Sequence, residues 1–245
     1  MKKVTVNVRR HSISDKTTGE KDYPISQEGQ ELAFEEGRKI IIPCGGLSLY
    51  ASPKKRAVQT AVALSHGAYA AEVERKISED IRNGNFGAKY CLGSYIKVDH
   101  NLDSMVSRIT KVPNVKEVFS SMPLDDAVNL ILKEDPEAME WAAGEVCSLI
   151  GDIAVTSTVN GNADGDELVE LVSHSPKVEA AILRMMTYEY DPTRRRRMCV
   201  PDIRIEEIGG AFKETEYFSV EIEVGNGTYR LRKLCNHNKG QEVNL

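Results

Sequence analysis

Three consecutive cations, Lys54, Lys55 and Arg56, follow a Ser52–Pro53 pair. Serine is a favoured N-cap and proline a favoured first helical residue, so the pattern predicts a helix opening here and running to about His66. The cations fall in its first turn, where the helix dipole disfavours them by a few tenths to about 1 kcal/mol each. A single lysine there reads as a solvated face. Three in a row at a strand-to-helix turn suit a bound anion, because helix N-termini offer free N–H groups to phosphate and an arginine adds bidentate hydrogen bonds. Two histidines occupy comparable places. Arg10–His11 ends one predicted strand, and Ser173–His174–Ser175–Pro176 ends another where a helix begins. In open α/β sheets ligands bind beyond the carboxyl ends of the strands. A lone histidine is more often structural than catalytic. Two of them, with two arginines, offered to one crevice point to catalysis on an anion.

The elements that would position these residues follow from periodicity. Val4, Val6 and Val8 alternate with polar residues, as in a strand. Ser26 caps a Glu-rich helix that continues to Lys39. Leu47 to Ala51 reads as a second strand and Val73 to Ile77 as a short third one. Residues 80–122 show three early glycines and weak periodicity, and read as an insertion of loops and short helices over the site. Pro123 to Lys133 is a predicted helix. So is the next segment, where Met139, Ala142, Ala143, Val146, Leu149, Ile150 and Ile153 form one apolar face. Leu168 to Val172 is a predicted strand, and Val178 to Tyr188 a helix. In the tail, Ile203, Ile205 and Ile208, then Phe218 to Val224, then Tyr229 to Leu234 read as strands, with Asn226–Gly227 a hairpin turn. The alternation predicts one α/β domain over 1–245: a three-layer sandwich, a mainly parallel central sheet flanked by helices, and a C-terminal β-hairpin region at about 203–234.

Composition narrows the function classes. The 245 residues carry 32 Lys and Arg against 37 Asp and Glu, a net charge of −5. A slightly acidic chain has no global attraction to nucleic acid or to an anionic membrane surface, so neither is expected as a partner. No apolar run approaches the roughly 18 residues of a membrane span, and no signal peptide is read at the N-terminus. The five cysteines are scattered without a CxxC pair, which fits a reducing cytoplasm and argues against a disulfide framework or a zinc site. No cofactor and no metal are expected.

The strings VRRHS at Val8 to Ser12, ASPKKRAVQTA at Ala51 to Ala61 and VSHSP at Val172 to Pro176 resemble the three signatures of the histidine phosphatase superfamily, which includes phosphoglycerate mutases and acid phosphatases. YPISQEG, before the first helix, is similar to the same family's usual entry to that helix. The resemblance spans roughly Val4 to Ile182 with an unmatched middle. It implies that His11 attacks phosphorus and forms a phosphohistidine. It implies that Arg10, Arg56 and His174 bind the phosphoryl oxygens, without a metal. It places a general acid at Asp80, through the spacing to Gly84 and Phe86, with Glu79 as the alternative. The plainer reading of Asp80 and Glu79 is two solvated acids.

Some residues depart from the family pattern. Ser12 and Ser175 stand where glycine is common, and the form of the third motif resembles the phosphohistidine phosphatases. Thr17 replaces an asparagine that many mutases carry, which weakens a mutase reading more than a phosphatase one. The expectation is a phosphomonoester hydrolase acting on a small phosphorylated metabolite. A phosphoglycerate-type mutase, a phosphohistidine-protein phosphatase and a non-catalytic phosphate-binding module are the alternatives. Asn160 to Gly165 imitates the start of a calcium loop, but position 12 of that loop is Leu171 instead of the required Glu. The run Arg194 to Arg197 reads as a solvated loop. Gly225–Asn226–Gly227 lacks the strand–helix context of a dinucleotide site.

Overall fold

The computed structural model describes residues 2–82, 96–159, 165–186, 189–191, 196–198, 204–225, 227–237 and 240–244. The parallel half of the sheet is made of β1 (Lys2–Arg10), β2 (Leu47–Ala51), β3 (Ile96–Val98) and β4 (Glu167–Ser173). The antiparallel half is made of β7 (Tyr217–Gly225), β8 (Thr228–Asn236) and β9 (Gln241–Asn244). The seven strands lie in the order β3-β2-β4-β1-β7-β8-β9. A separate two-stranded ribbon pairs β5 (Glu189–Asp191) with β6 (Arg196–Met198).

Helices cover both faces. The period-2 pattern of β1 sends Val4, Val6 and Val8 to one side, where they meet Val169, Leu171, Phe218 and Val220. On that side pack α5 (Pro136–Val159) and α6 (Lys177–Met186), with α4 (Leu124–Glu134) and α3 (Val115–Ser121) at the rim. The predicted apolar face of α5 is the one buried: Met139, Ala142, Ala143, Val146, Leu149, Ile150 and Ile153 all enter this core. By length and composition α5 could cross a membrane, and here it serves as a core helix. The other face holds a smaller core of Leu49, Ala51 and Val172 against Ala33, Ala57, Ala61 and Leu64. These last four come from α1 (Gln27–Arg38) and α2 (Lys55–Arg82).

Two glycines let α1 and α2 come close. A Cβ on Gly37 would lie 2.2 Å from the Leu64 carbonyl oxygen, and one on Gly67 would lie 2.0 Å from that of Phe34. Either contact is closer than any side chain tolerates.

Three sequence expectations are corrected here. Val73 to Ile77 is not a strand but part of α2, which continues past His66 to Arg82. Beyond Gly67 the chain is rich in Ala, Glu, Lys and Arg and meets no helix breaker before Gly84, so helical propensity carries through. Residues 205–208 form a 3₁₀ turn in place of a strand, with Ile205 and Ile208 turned into the larger core. The predicted insertion at 80–122 is not all excursion: β3 lies inside it and extends the sheet by parallel pairing of Leu49 with Ile96. Gly84, Phe86, Asn160 to Asp164, Arg194 and Arg195 lie outside the described residues.

Candidate active site

Strand register brings the three motifs together. Arg10 of β1 pairs with Ser173 of β4, and Ala51 of β2 pairs with Val172. The ladder then runs one step past each strand. His11 N donates to Ser173 O at 2.9 Å, and Ser52 N donates to Val172 O at 2.9 Å. His11, Ser52 and His174 are therefore neighbours at the carboxyl end of the parallel strands. The imidazoles of His11 and His174 lie 4.9 Å apart, centroid to centroid, tilted by 58°.

His11 is held in one tautomer. Its Nδ1 is 2.6 Å from the carbonyl oxygen of Ser12. A carbonyl only accepts, so Nδ1 carries the proton and Nε2 carries the lone pair. Arg56 confirms the polarity, because its Nε–H donates to His11 Nε2 at 3.1 Å. Burial, then the charges of Arg56 and Arg10, lower the His11 pKa to about 3. The ring is therefore neutral at ordinary pH, as a nucleophile must be.

His174 is buried, and its pKa lies well below the ordinary value, through burial first and the neighbouring His11 second. Its Nε2 is 2.7 Å from Ser52 Oγ. Its Nδ1 has no hydrogen-bond partner among the described residues. This arrangement is not a serine-hydrolase triad. The nearby carboxylate, Asp103, accepts from Ser52 Oγ at 3.5 Å and not from the histidine, so nothing orients His174 as a base for serine.

The arginines approach from different elements. Arg56 sits in the first turn of α2. Its backbone carbonyl accepts from Thr60 Oγ1 at 2.7 Å, and the same hydroxyl accepts from Ser12 N at 2.9 Å, which ties α2 to the segment after β1. Arg10 donates through Nη1 to Phe212 O at 2.6 Å, and its Nη2 is 3.2 Å from Glu214. The cations at the start of α2 are paired one by one. Lys54 lies 3.4 Å from Asp103, Lys55 lies 2.7 Å from Glu20, and Arg56 Nη1 lies 3.5 Å from Asp22.

The serine in the usual glycine place of the first motif is accommodated. Ser12 is buried, and its hydroxyl donates to Gly29 O at 2.6 Å. Thr17 points elsewhere: its Oγ1 donates to Asp15 at 2.6 Å in an exposed turn.

Asp80 is the site residue that the structure does not bring in. It belongs to the last turns of α2, whose first turn carries Arg56. At a rise of 1.5 Å per residue, the 24 steps from Arg56 to Asp80 span roughly 36 Å of helix. The spacing to Gly84 and Phe86 presupposed a loop at 80, and the uninterrupted helix removes it. Glu79 shares that placement and is exposed.

Sequence reasoning missed two carboxylates that do stand at the site, Asp103 and Asp22. Asp103 follows β3, which ends beside β2 with Asp99 N donating to Ala51 O at 2.8 Å. The missed signal was the strand itself, Ile96–Val98, hidden in a stretch of weak periodicity. Among the described residues, no three His, Cys, Asp or Glu side chains converge to hold a metal ion.

No protein-family model and no curated protein matches the sequence. Solved structures do share its architecture. The phosphate complex of mycobacterial glucosyl-3-phosphoglycerate phosphatase aligns with a TM-score of 0.50 at 15% identity, over 93% of this chain and 94% of that one. Phosphoglycerate mutase from Bacillus anthracis aligns with a TM-score of 0.48 at 16% identity, over 94% and 92%. A protein histidine phosphatase complexed with tungstate aligns at 0.38 and 14% identity, over 94% and 95%.

Proposed function

The chain has the fold of the histidine phosphatases, and on that fold we propose that it is a phosphomonoester hydrolase working through a phosphohistidine on His11. The observation that carries this reading is the His11 tautomer. Nδ1–H is committed to Ser12 O, so the lone pair of Nε2 faces the guanidinium of Arg56.

In the first step Nε2 of His11 attacks phosphorus in line and the P–O bond to the leaving group breaks. Arg56 moves its Nε–H from the nitrogen lone pair to an equatorial phosphoryl oxygen. Arg10 stabilises a second oxygen, and Nδ1 of His174 donates to another once the single proton of the Ser52 hydroxyl turns from Asp103 to His174 Nε2. Charge spreads over these oxygens in the transition state, so fixed donors lower the barrier. A carboxylic acid protonates the leaving oxygen and then takes a proton from the water that hydrolyses the phosphohistidine. We assign this role to Asp103 in place of Asp80. It emerges beyond β3, at the same sheet end as His11, Ser52 and His174, and it reaches Ser52 and Lys54.

The Thr17 contact with Asp15 supports a hydrolase over a phosphoglycerate-type mutase, since that side chain is spent outside the pocket. Three free cysteines among the described residues, Cys44, Cys147 and Cys235, suit a cytoplasmic setting. The substrate class is a small phosphorylated metabolite. The direct test is trapping. Enzyme mixed with ³²P-labelled substrate and quenched in alkali should retain label that is released by acid, as a phosphoramidate is. Its absence from His11→Ala supports the reading, and label retained on that variant refutes it.

A further inference from the structure

A polar chain of contacts runs beneath the site, on the sheet face opposite Val4, Val6 and Val8. Arg9 and Glu170 are buried there, at 2% and 0% exposure. Arg9 Nε donates to Glu170 Oε2 at 3.0 Å and Nη2 to Oε1 at 3.3 Å, while Asn7 Nδ2 donates to Oε1 at 2.7 Å. The ring of Tyr217 lies under the guanidinium, 4.1 Å from its carbon. The remaining Arg9 nitrogen, Nη1, donates to the carbonyl of Thr215 at 2.5 Å.

A buried ion pair is weak evidence for stability, because apolar residues of similar volume often do as well. What this pair does specifically is hold Thr215. That residue is β-branched and has φ of 65°, a left-handed backbone that such residues rarely adopt. Residues 212–216 close around Arg10. Thr215 N donates to Arg10 O at 3.2 Å, Arg10 N donates to Glu216 O at 3.0 Å, and Arg10 Nη1 donates to Phe212 O at 2.6 Å. At the other end of the segment, Phe212 N donates to the buried carboxyl of Glu179 at 3.0 Å. The segment is thus a clasp that aims the Arg10 guanidinium, anchored at one end by Glu179 and at the other by Arg9 with Glu170.

We propose that Arg9 and Glu170 are positioning residues for phosphoryl transfer, acting through the 212–216 clasp on Arg10. This rests on the reading that Arg10 binds the phosphoryl group. The test compares the affinity of the full-length protein for inorganic phosphate, by calorimetry, and KM against kcat for an aryl phosphate. Arg9→Met combined with Glu170→Leu should keep the fold, judged by its thermal melt, and weaken phosphate binding by about tenfold or more with KM rising more than kcat falls. The same double change in an Arg10→Ala background should cost nothing further, because the group it positions is gone. If the double variant fails to fold, Glu170→Gln replaces it, with a smaller loss in the same direction. Unchanged phosphate affinity in a folded variant, or losses that simply add to that of Arg10→Ala, would overturn the proposal. A wild-type protein indifferent to phosphate, with Arg10→Ala no different, would instead overturn the phosphatase reading.

Discussion

Arg56 donates its Nε–H to the lone pair on Nε2 of His11, across 3.1 Å. On the proposed mechanism, the nucleophile and the anion-binding arginine are each other's hydrogen-bond partners. On that mechanism an approaching phosphate would take the guanidinium and free the nitrogen in the same movement.

Removing either partner separates the two roles. His11→Ala should abolish turnover of nitrophenyl phosphate while phosphate binding, by calorimetry, survives. Arg56→Ala exposes the lone pair but loses a transition-state donor, so kcat should fall by roughly 10²–10³. An Arg56→Ala enzyme as fast as wild type would show that the contact is incidental. Addition of a chelator should leave the wild-type rate unchanged, since on the proposed mechanism the side chains supply the positive charge.

The buried imidazoles also tie stability to pH. The His11 pKa is about 3 and that of His174 is well below the ordinary value, whereas both return to about 6.5 on unfolding. Below pH 6.5 the unfolded chain therefore binds protons that the folded chain refuses. Stability is full above pH 6.5 and is lost as pH falls toward the folded-state values. Each ring adds a slope approaching ~1.4 kcal/mol per pH unit in that window. Urea unfolding between pH 7 and 5 should show the loss. His11→Asn and His174→Asn should flatten it, and inorganic phosphate, which favours the protonated rings, should reduce it. A slope unchanged in the double variant would contradict this origin.

The α1–α2 contact makes a stability prediction remote from the chemistry. A methyl group at residue 67 would meet the Phe34 carbonyl oxygen at 2.0 Å, and that atom is backbone that cannot swing away. Gly67→Ala should therefore destabilise the protein by about 1–3 kcal/mol, as overpacking does, despite the better helix propensity of alanine. A raised thermal midpoint would show that the helices part at no cost.

Much of the candidate site could be read from the chain because its residues sit where strands end. His11, Ser52 and His174 each follow a strand whose alternation or apolar run was visible, and register then had only to align three strand ends. Arg56 was marked by being a cation where the helix dipole disfavours one. The residues left unread depend on tertiary placement. Val73 and Ile77 are four apart and fit helix as well as strand, so only the helix propensity of their neighbours decides. Asp22 and Glu214 are ordinary acids in loops until folding sets them beside Arg56 and Arg10. The burial of Arg9 depends on Glu170, 161 positions away, on the adjacent strand.

The identity of the acid gives the sharpest discrimination. Protonation matters for a poor leaving group and little for nitrophenolate, which departs as a stable anion. Asp103 reaches Ser52 and Lys54 at the mouth of the site, Asp22 reaches Arg56, and Asp80 lies far along α2. Asp103→Asn should slow hydrolysis of alkyl phosphates by roughly 10²–10⁴ while sparing nitrophenyl phosphate. Asp22→Asn removes the ion pair that competes for Arg56, so it should tighten phosphate binding without changing the dependence on leaving group. Asp80→Asn should do neither. If Asp22→Asn carries the leaving-group dependence, the acid stands on the loop before α1 and Asp103 serves only to hold Lys54. If Asp80→Asn carries it, α2 must break before residue 80 in the working enzyme, and the helix seen here is not the catalytic form.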